Sequence, residues 1–111
     1  MQRRLRLHHS RDFKRLREVG QAKRHPHLIL SYHPNQLEHN RYGFITVKRL
    51  GNAVVRNRVR RLMREATRLQ HPSLRQGYDM VFIARAPIVA QPFEHVQRIV
   101  YDLCRRAGIA D

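Results

Sequence analysis

The apolar residues of the chain follow two spacings, and each spacing predicts one kind of element. Spacings of three and four positions, typical of an amphipathic α-helix, predict helices at residues 11–19, 52–69 and 92–107. Short apolar runs bounded by turn-forming residues predict strands at residues 28–33, 41–48 and 78–85. The predicted order is α-β-β-α-β-α. We therefore expect a mixed α+β fold in a single domain.

The predicted strands differ in how they are expected to pair. The run YDMVFIAR at residues 78–85 is apolar almost throughout, which is typical of a central strand buried on both faces. Residues 28–33 and 41–48 are separated by a loop rich in turn formers, so we expect them to form an antiparallel hairpin. Residues 21–27 are predicted to be a polar connection.

Residues suited to helix ends support the three helices. Ser10 and Asn52 are predicted N-caps, because their side-chain oxygens can accept a hydrogen bond from free backbone amides of the first turn. Pro92 suits the first turn of the last helix. Gly20 and Gly108 are predicted to end the first and last helices.

The central helix has two unlike faces. Its apolar side chains fall in one stripe that is predicted to face the core: Val55, Val59, Leu62, Met63, Ala66 and Leu69. The opposite face carries Arg56, Asn57, Arg60, Arg61, Arg64 and Arg68. Glu65 is the one acid between Lys48 and Leu69, so pairs along the helix cannot compensate this charge. A solvated polar face is the simpler interpretation, but an arginine face favours a polyanion, because guanidinium makes bidentate contacts with phosphate.

The overall charge extends this interpretation to the whole chain. Among 111 residues, 23 are Lys or Arg and eight are Asp or Glu, a formal net charge of +15. This balance predicts nucleic acid as the partner, with an anionic membrane surface as the alternative. We find no apolar stretch of about 18 residues and no signal-peptide pattern, so we expect a soluble cytoplasmic protein. Residues 1–9 are predicted to be a flexible or loosely docked basic arm, and residues 10–111 a single RNA-binding domain.

No group of residues predicts catalysis or metal binding by the protein itself. The eight acids form no general acid–base pair by spacing, and no cluster of Cys and His has zinc spacing. The close histidine pairs are His8-His9 and His25-x-His27, which keep a small histidine-dependent ribonuclease open as an alternative. Cys104 is predicted to pack in the core. We therefore expect a chain that binds RNA or DNA without catalytic residues or metal ligands of its own.

The run KRLGNAVVRNRVRRLMRE, which starts at Lys48, closely resembles the signature of the protein subunit of bacterial ribonuclease P. That family carries basic residues around a Gly-x-Ala-Val-x-Arg-Asn core, often called the RNR motif. The positions in register with it are Lys48, Arg49, Gly51, Ala53, Val54, Arg56, Asn57, Arg60, Arg61 and Arg64. The segments RLRLHHSRDFKRLREVG and YDMVFIARAP also resemble family segments, so the resemblance covers about residues 4–107.

The resemblance implies a fold and an activity. The family fold is an α/β sandwich similar to the second domain of ribosomal protein S5, with a left-handed βαβ crossover that is against the usual preference. The family's enzyme is an endonuclease that removes the 5′ leader from precursor tRNA. Its catalytic subunit is RNA, and that RNA binds most of the Mg²⁺. The chain is thus expected to be an accessory subunit that binds the catalytic RNA and the leader and aids Mg²⁺-dependent cleavage, with no DNA or membrane partner.

The resemblance also implies roles for residues. The face toward the RNA would be formed by Lys48, Arg49, Asn52, Arg56, Asn57, Arg60, Arg61, Arg64 and Arg68. Phe13 matches an aromatic on the wall of the leader cleft, and Arg17 stands where some members have a second aromatic. Ser31 or, one residue on, Tyr32 stands where some have a tyrosine. Leader contact at these four positions is expected to depend more on charge than on stacking. A structural ribosomal protein is the alternative to which fold and charge also point.

Overall fold

The computed structural model describes residues 1–111 and places four strands in one sheet with helices on both faces. The helices are α1 (Ser10–Val19), α2 (Ala53–Gln70) and α3 (Phe93–Arg106). The strands are β1 (Gln21–Arg24), β2 (Leu28–Pro34), β3 (Arg41–Ile45) and β4 (Tyr78–Ala84). Short 3₁₀ helices span Arg3–Leu5, Lys48–Leu50, His71–Ser73 and Ala86–Ala90. The three predicted helices and three predicted strands are confirmed, and β1 is an additional strand.

Strand β4 lies in the interior of the sheet. The strand order is β1-β2-β4-β3, with β4 antiparallel to β2 and parallel to β3. Met80 and Phe82 belong to the larger of two apolar cores, and Val81 belongs to the smaller one. The continuous apolar sequence of this strand therefore reflects burial on both faces, which confirms the prediction.

The predicted hairpin of residues 28–33 and 41–48 is wrong. Strands β2 and β3 do not pair with each other, because β4 lies between them and pairs with both. The hairpin in the structure joins β1 to β2, with Gln21 opposite Tyr32 and Arg24 opposite Ile29. The sequence does not reveal β1, because the segment QAKR is a short, mostly exposed edge strand without apolar alternation.

The sheet separates two apolar cores. The larger core lies between the sheet and helices α2 and α3, and its fully buried side chains include Leu28, Leu30, Tyr42, Met63, Met80, Phe82, Val96, Val100 and Leu103. The smaller core lies under α1 and consists of Leu7, Leu16 and Val81, with Phe13 packed against it. Two long helices thus cover one face of the sheet, whereas the short α1 leaves part of the other face open.

The apolar stripe of α2 is confirmed over most of its length. Val59, Met63 and Ala66 are fully buried. Leu69, the last member of the predicted stripe, is 46% exposed, and Thr67 is buried instead. The Thr67 hydroxyl donates to the Met63 carbonyl at 2.8 Å, so its polar group is satisfied within the helix. The prediction that Leu69 faces the core is therefore wrong.

Part of the N-terminal arm is docked on the sheet. Leu5 and Leu7 are buried, and the Leu7 amide donates to the Tyr42 carbonyl at 2.8 Å. The sequence signal for this docking is the alternation of Leu with Arg in RRLRL. The Ser10 N-cap prediction is wrong by one residue, because α1 already includes Ser10 and His9 stands at the cap position without a side-chain hydrogen bond.

Strands β3 and β4 form a βαβ unit with α2, since they are parallel neighbours joined through that helix. This is the unit for which the resemblance implies a left-handed crossover. The handedness stays a prediction, as does the likeness to ribosomal protein S5. The unit places α2 beside β3, the edge strand next to which the functional surface lies.

Candidate nucleic-acid interface

Helix α2 begins at a joint that requires glycine. Gly51 has a φ of 149°, and a Cβ at this position would lie 3.0 Å from the side chain of Val55. The Asn52 side chain accepts a hydrogen bond from the Val55 amide at 3.0 Å, which confirms the predicted N-cap. The joint therefore sets the direction in which α2 leaves the 3₁₀ helix Lys48–Leu50, and with it the orientation of the arginine face.

Arg60 is held by two neighbours. One Nη atom donates to Thr46 Oγ1 at 2.6 Å, and the other donates to Asn57 Oδ1 at 2.7 Å. Asn57, the neutral residue of the motif, thus orients an arginine one turn further along α2. Because the guanidinium is fixed before any partner binds, less side-chain entropy is lost on binding.

Arg64 lies over an aromatic ring at the sheet edge. Its guanidinium carbon is 6.0 Å from the centre of the Phe44 ring, a cation–π distance, and Phe44 in turn stacks on Phe82. Burial lowers the pKa of Arg64, and the neighbouring Arg6, Arg60 and Arg61 lower it further. Arg64 stays protonated, but its positive charge costs free energy in the free protein, and an anion beside it would relieve this cost.

Arg56 and Arg68 lie near the two ends of the arginine face. Arg56 is half-buried, and its Nε has no hydrogen-bond partner in the protein. Because this Nε is buried, leaving it unpaired costs free energy, and a rotation of the side chain toward an external acceptor would relieve that cost. Arg68 donates to both oxygens of Glu65 at 3.0 and 2.6 Å, but this exposed pair adds little stability. The face therefore carries one acid near its C-terminal end.

The other predicted RNA-binding residues flank this face. Lys48 and Arg49 are exposed on the 3₁₀ helix that precedes α2. Arg61 is exposed and shares a pocket of about 380 Å³ with Met1 and Phe93. The structure thus brings Arg60 and Arg64 to the sheet edge and sets the remaining cations on either side of them.

Phe13 stands where α1 meets the edge of the sheet. A Cβ built on Gly43 would lie 2.7 Å from two carbons of the Phe13 ring, so glycine at this position of β3 leaves room for the ring. Phe13 and Arg64 line the same pocket of about 130 Å³, together with Arg6, Leu7, Tyr42, Gly43 and Phe44. The predicted leader aromatic and the predicted RNA-binding helix therefore meet at β3.

The other predicted leader residues lie on different faces of the sheet. Ser31 is opposite Val81, so it faces the α1 side, and Arg17 is exposed on α1 one turn after Phe13. Tyr32 is 7% exposed in the larger core, and its hydroxyl donates to Gln21 Oε1 at 3.0 Å. The structure therefore places Arg17 and Ser31 on the same side as Phe13 and buries Tyr32 on the other.

Arg41 fixes α1 over the sheet. Its Nε and Nη2 donate to the two carboxylate oxygens of Asp79 at 2.9 and 2.7 Å, and Nη2 lies 3.7 Å from the Asp12 carboxylate of α1. The hydrogen bond to Asp79 raises the pKa of Arg41. Asn35 donates a further hydrogen bond to Asp79 at 3.0 Å. Because Asp12 precedes Phe13, this bidentate network holds the wall of the cleft in place.

A second pocket lies further along the open face of the sheet. It measures about 350 Å³, and its lining includes the apolar side chains of Ile29, Val47 and Ile83 together with Arg49 and Arg85. Arg85 is not among the residues predicted to bind RNA. The signal for it in the sequence is its position directly after the most apolar strand, where the chain leaves the sheet.

Comparison with known proteins identifies the family of the chain that carries this surface. The sequence model of the family described as Ribonuclease P matches residues 1–108. The chain belongs to the ribonuclease P protein family. The Ribonuclease P protein component of Roseiflexus castenholzii is 46% identical over 110 residues, covering 98% of this chain and 90% of that protein. That of Caldanaerobacter subterraneus subsp. tengcongensis is 37% identical over 103 residues, covering 93% and 89%.

Solved structures of the same family share the fold. The RNase P protein from Staphylococcus aureus is 25% identical with a TM-score of 0.88, and the match covers 96% of this chain and 98% of that one. The RNase P protein from Thermotoga maritima is 25% identical with a TM-score of 0.85, covering 91% and 96%. The likeness confirms the mixed α/β architecture of one four-stranded sheet and three helices.

Membership of the ribonuclease P family has direct consequences. The chain is the accessory subunit of a bacterial tRNA-processing endoribonuclease, with a role in 5′ processing of tRNA. It has an RNA partner within a ribonucleoprotein that is generally metal-dependent. The resemblance stated from the motif is confirmed, and the alternative of a structural ribosomal protein loses its support.

The pair His25 and His27 is part of a small histidine cluster that also includes His95. His25 Nδ1 accepts a hydrogen bond from the His27 amide at 3.0 Å, and the His27 ring is 5.3 Å from that of His95 on α3. Burial lowers the pKa of both His25 and His27, which favours their neutral forms. This cluster packs beside α3, away from the cleft at Phe13.

The sequence also makes predictions about the single cysteine, possible metal ligands and possible membrane-spanning helices. Cys104 is buried, as predicted, and burial raises the pKa of its thiol to about 12. No three His, Cys, Asp or Glu side chains come together in a way that could hold a metal ion. None of the helices combines the length and the apolar character needed to cross a membrane.

Proposed function

We propose that the chain binds the catalytic RNA of ribonuclease P through the arginine face of α2 and the 5′ leader of precursor tRNA through the cleft beside Phe13. The catalytic RNA hydrolyses the phosphodiester bond. The protein binds both the catalytic RNA and the leader and positions them relative to each other. The observation that carries the proposal is the pocket at β3 that Phe13 and Arg64 line together. A leader lying in the cleft would pass directly beside the RNA held by α2.

The surface for the catalytic RNA comprises Lys48, Arg49, Asn52, Arg56, Asn57, Arg60, Arg61, Arg64 and Arg68. Its support is electrostatic. Arg56, Arg60 and Arg64 form no ion pair within the protein, although each is half-buried. Contacts between such groups and phosphates release condensed counterions, so the affinity should fall steeply with salt.

The surface for the leader comprises Phe13, Arg17 and Ser31. Phe13 keeps part of its ring accessible, and an unpaired base can stack on such a ring without sequence preference. Arg17 is exposed on α1 one turn after Phe13, and Arg64 lines the pocket beside Phe13, so both offer positive charge for leader phosphates. Tyr32 is not proposed as a direct contact, because its ring is buried in the larger core, where it supports β2 behind Ser31.

Mg²⁺ is the metal that the family's chemistry implies, and the residues of this chain do not fit a site for it. Mg²⁺ prefers carboxylate and phosphate oxygens, but the one acid on the arginine face, Glu65, is paired with Arg68. We therefore propose that the partner RNA binds the Mg²⁺ and that the protein acts on it only indirectly, by neutralising nearby phosphates. Processing of precursor tRNA would place the complex in the bacterial cytoplasm.

Replacing Arg60 or Arg64 with Ala is expected to weaken binding of the cognate ribonuclease P RNA about tenfold for each variant, because each loses a charge-assisted phosphate contact. The dependence of log Kd on log salt should also flatten by about one counterion per variant. Fluorescence anisotropy at several KCl concentrations measures both quantities.

Arg105→Ala serves as the matched control, since it removes one exposed arginine from α3. Its salt dependence should remain that of the unaltered protein. If the slope stayed unchanged for Arg60→Ala and Arg64→Ala as well, the RNA would have to bind another face.

A further inference from the structure

A chain of buried and partly buried hydrogen bonds runs beneath the C-terminal end of α2. Asn40 is fully buried, and its Oδ1 accepts from the Tyr78 backbone amide at 2.8 Å. An amide N–H can only donate, so this contact fixes which end of the Asn40 side chain is oxygen. Asn40 Nδ2 therefore donates, to the Tyr42 hydroxyl at 3.1 Å and to the Arg75 carbonyl at 2.9 Å.

The direction of the chain determines the tautomer of His71. Since the Tyr42 oxygen accepts from Asn40, its own hydrogen is free to bond to His71 Nδ1, which lies 2.8 Å away. Nδ1 is then an acceptor, and the proton of the neutral imidazole is on Nε2. Burial, together with the charges of Arg4 and His39, lowers the pKa of His71, which agrees with a neutral ring.

His71 lines a pocket of about 370 Å³ with Met1, Gln2, Arg4, Leu5 and Arg68. No acidic side chain lines it. Arg4 uses its Nε in a hydrogen bond to Gln2, and Arg68 uses Nε and Nη2 in its pair with Glu65. The guanidinium groups keep further N–H donors, and no hydrogen bond within the protein engages His71 Nε2. The pocket is therefore rich in unused donors and holds two positive charges.

We propose that this pocket holds one phosphodiester group of the RNA partner, with His71 Nε2–H as a neutral donor and Arg4 and Arg68 as the charged ones. The inference rests on the proposed function for the identity of the RNA. It extends the RNA surface beyond the end of α2 to the docked N-terminal arm. The hydrogen-bond chain from Asn40 through Tyr42 to His71 would then orient the Nε2–H donor of His71 before the RNA binds.

Two substitutions at His71 distinguish the effect of losing the Nε2–H donor from the effect of losing the imidazole ring. In His71→Asn the amide oxygen can replace Nδ1 as the acceptor for Tyr42, but no group reaches as far as Nε2. In His71→Gln the amide nitrogen can occupy the position of Nε2 and restore the donor. Binding of the cognate ribonuclease P RNA, transcribed in vitro, is measured for both variants, for Arg4→Ala and for Arg98→Ala, which removes one exposed arginine from α3 as a control.

The pocket predicts different signatures for the charged and the neutral donors. Arg4→Ala should weaken binding about tenfold and flatten the salt dependence by about one counterion. His71→Asn should weaken binding about tenfold with an unchanged salt slope, since the lost donor carries no charge. His71→Gln should recover most of that loss, and Arg98→Ala should bind like the unaltered protein.

The inference is overturned if Arg4→Ala and His71→Asn both bind like Arg98→Ala while the unaltered protein binds the RNA tightly. Absence of binding by the unaltered protein would instead contradict the proposed function, and the inference with it. The ring nitrogens of His71, observed by ¹⁵N NMR in the free protein, provide an independent test. A proton found on Nδ1 rather than Nε2 at neutral pH would contradict the hydrogen-bond chain.

Discussion

A protein with Asp in place of Val59 is expected to be unfolded. Val59 is fully buried where α2 packs in the larger core. The substitution removes about 1–2 kcal/mol of apolar burial and places a carboxylate without a partner in the core, at a cost of several kcal/mol. A domain of this size is stable by only about 5–15 kcal/mol. Circular dichroism and urea titration at neutral pH should show an unfolded chain or a greatly lowered midpoint.

Val54→Asp is the matched control for this experiment. Val54 is on the same helix but is 76% exposed, so the same change in chemistry should alter the free energy of unfolding by no more than about 0.5 kcal/mol. The new acid would also lie at the positive end of α2, where it is tolerated. A native urea midpoint for Val59→Asp would contradict the packing described for α2.

Replacing Arg41 with Met is expected to lower the free energy of unfolding by about 2–3 kcal/mol. The change leaves the Asp79 carboxylate, which is 9% exposed, without its bidentate partner and removes the link to Asp12 on α1. Urea titration measures the loss of stability. Amide hydrogen exchange should additionally speed up in α1 more than in α3, because Arg41 anchors only the first of these helices.

Lys14→Met provides the comparison for Arg41. Lys14 lies 3.9 Å from Glu18 on α1, and the two side chains are 69% and 61% exposed. Removing this exposed pair should cost no more than about 0.5 kcal/mol. Equal small effects in the two variants would show that the Arg41 network does not hold α1 on the sheet.

The helices could be predicted from the sequence because their signals are local. The stripe of α2 and its Asn52 cap are properties of a few neighbouring residues, and both are found as predicted apart from Leu69. Strand pairing is not local. The apolar sequence of residues 78–85 predicts that the strand is buried but does not predict which strands it pairs with. In the sheet it lies between β2 and β3, although β2 and β3 are nearer to each other in sequence than either is to β4.

The arginine face was predictable because the spacing of its arginines and the near absence of acids distinguish it from an ordinary polar helix face. The motif in the same segment then indicated the family. The positions of the residues proposed to contact the leader, relative to the sheet, were not predictable. Ser31 and Tyr32 are neighbours in a strand, so they face opposite sides, and only the register with β4 shows which of them shares the side of Phe13. The burial of Leu5 and Leu7 goes further than the predicted flexible or loosely docked arm, because two leucines on either side of one arginine are too short a pattern to predict a packed segment.

The sequence does not show where the arginine face of α2 ends and the cleft beside Phe13 begins. In the structure the two surfaces meet at strand β3. Phe44 on β3 lies under Arg64, and Gly43 beside it makes room for Phe13. Two adjacent residues of one edge strand thus contact the two surfaces. We expect the leader and the catalytic RNA to be closest at this strand.

Cleavage of a precursor tRNA at low Mg²⁺, with the cognate ribonuclease P RNA and with or without this chain, tests the central claim most directly. The RNA alone should cleave slowly under these conditions, the chain alone should cleave nothing, and the two together should release the 5′ leader rapidly and at a lower Mg²⁺ concentration. Cleavage at full rate by the chain alone, or an RNA-catalysed rate that does not respond to the chain, would contradict the account.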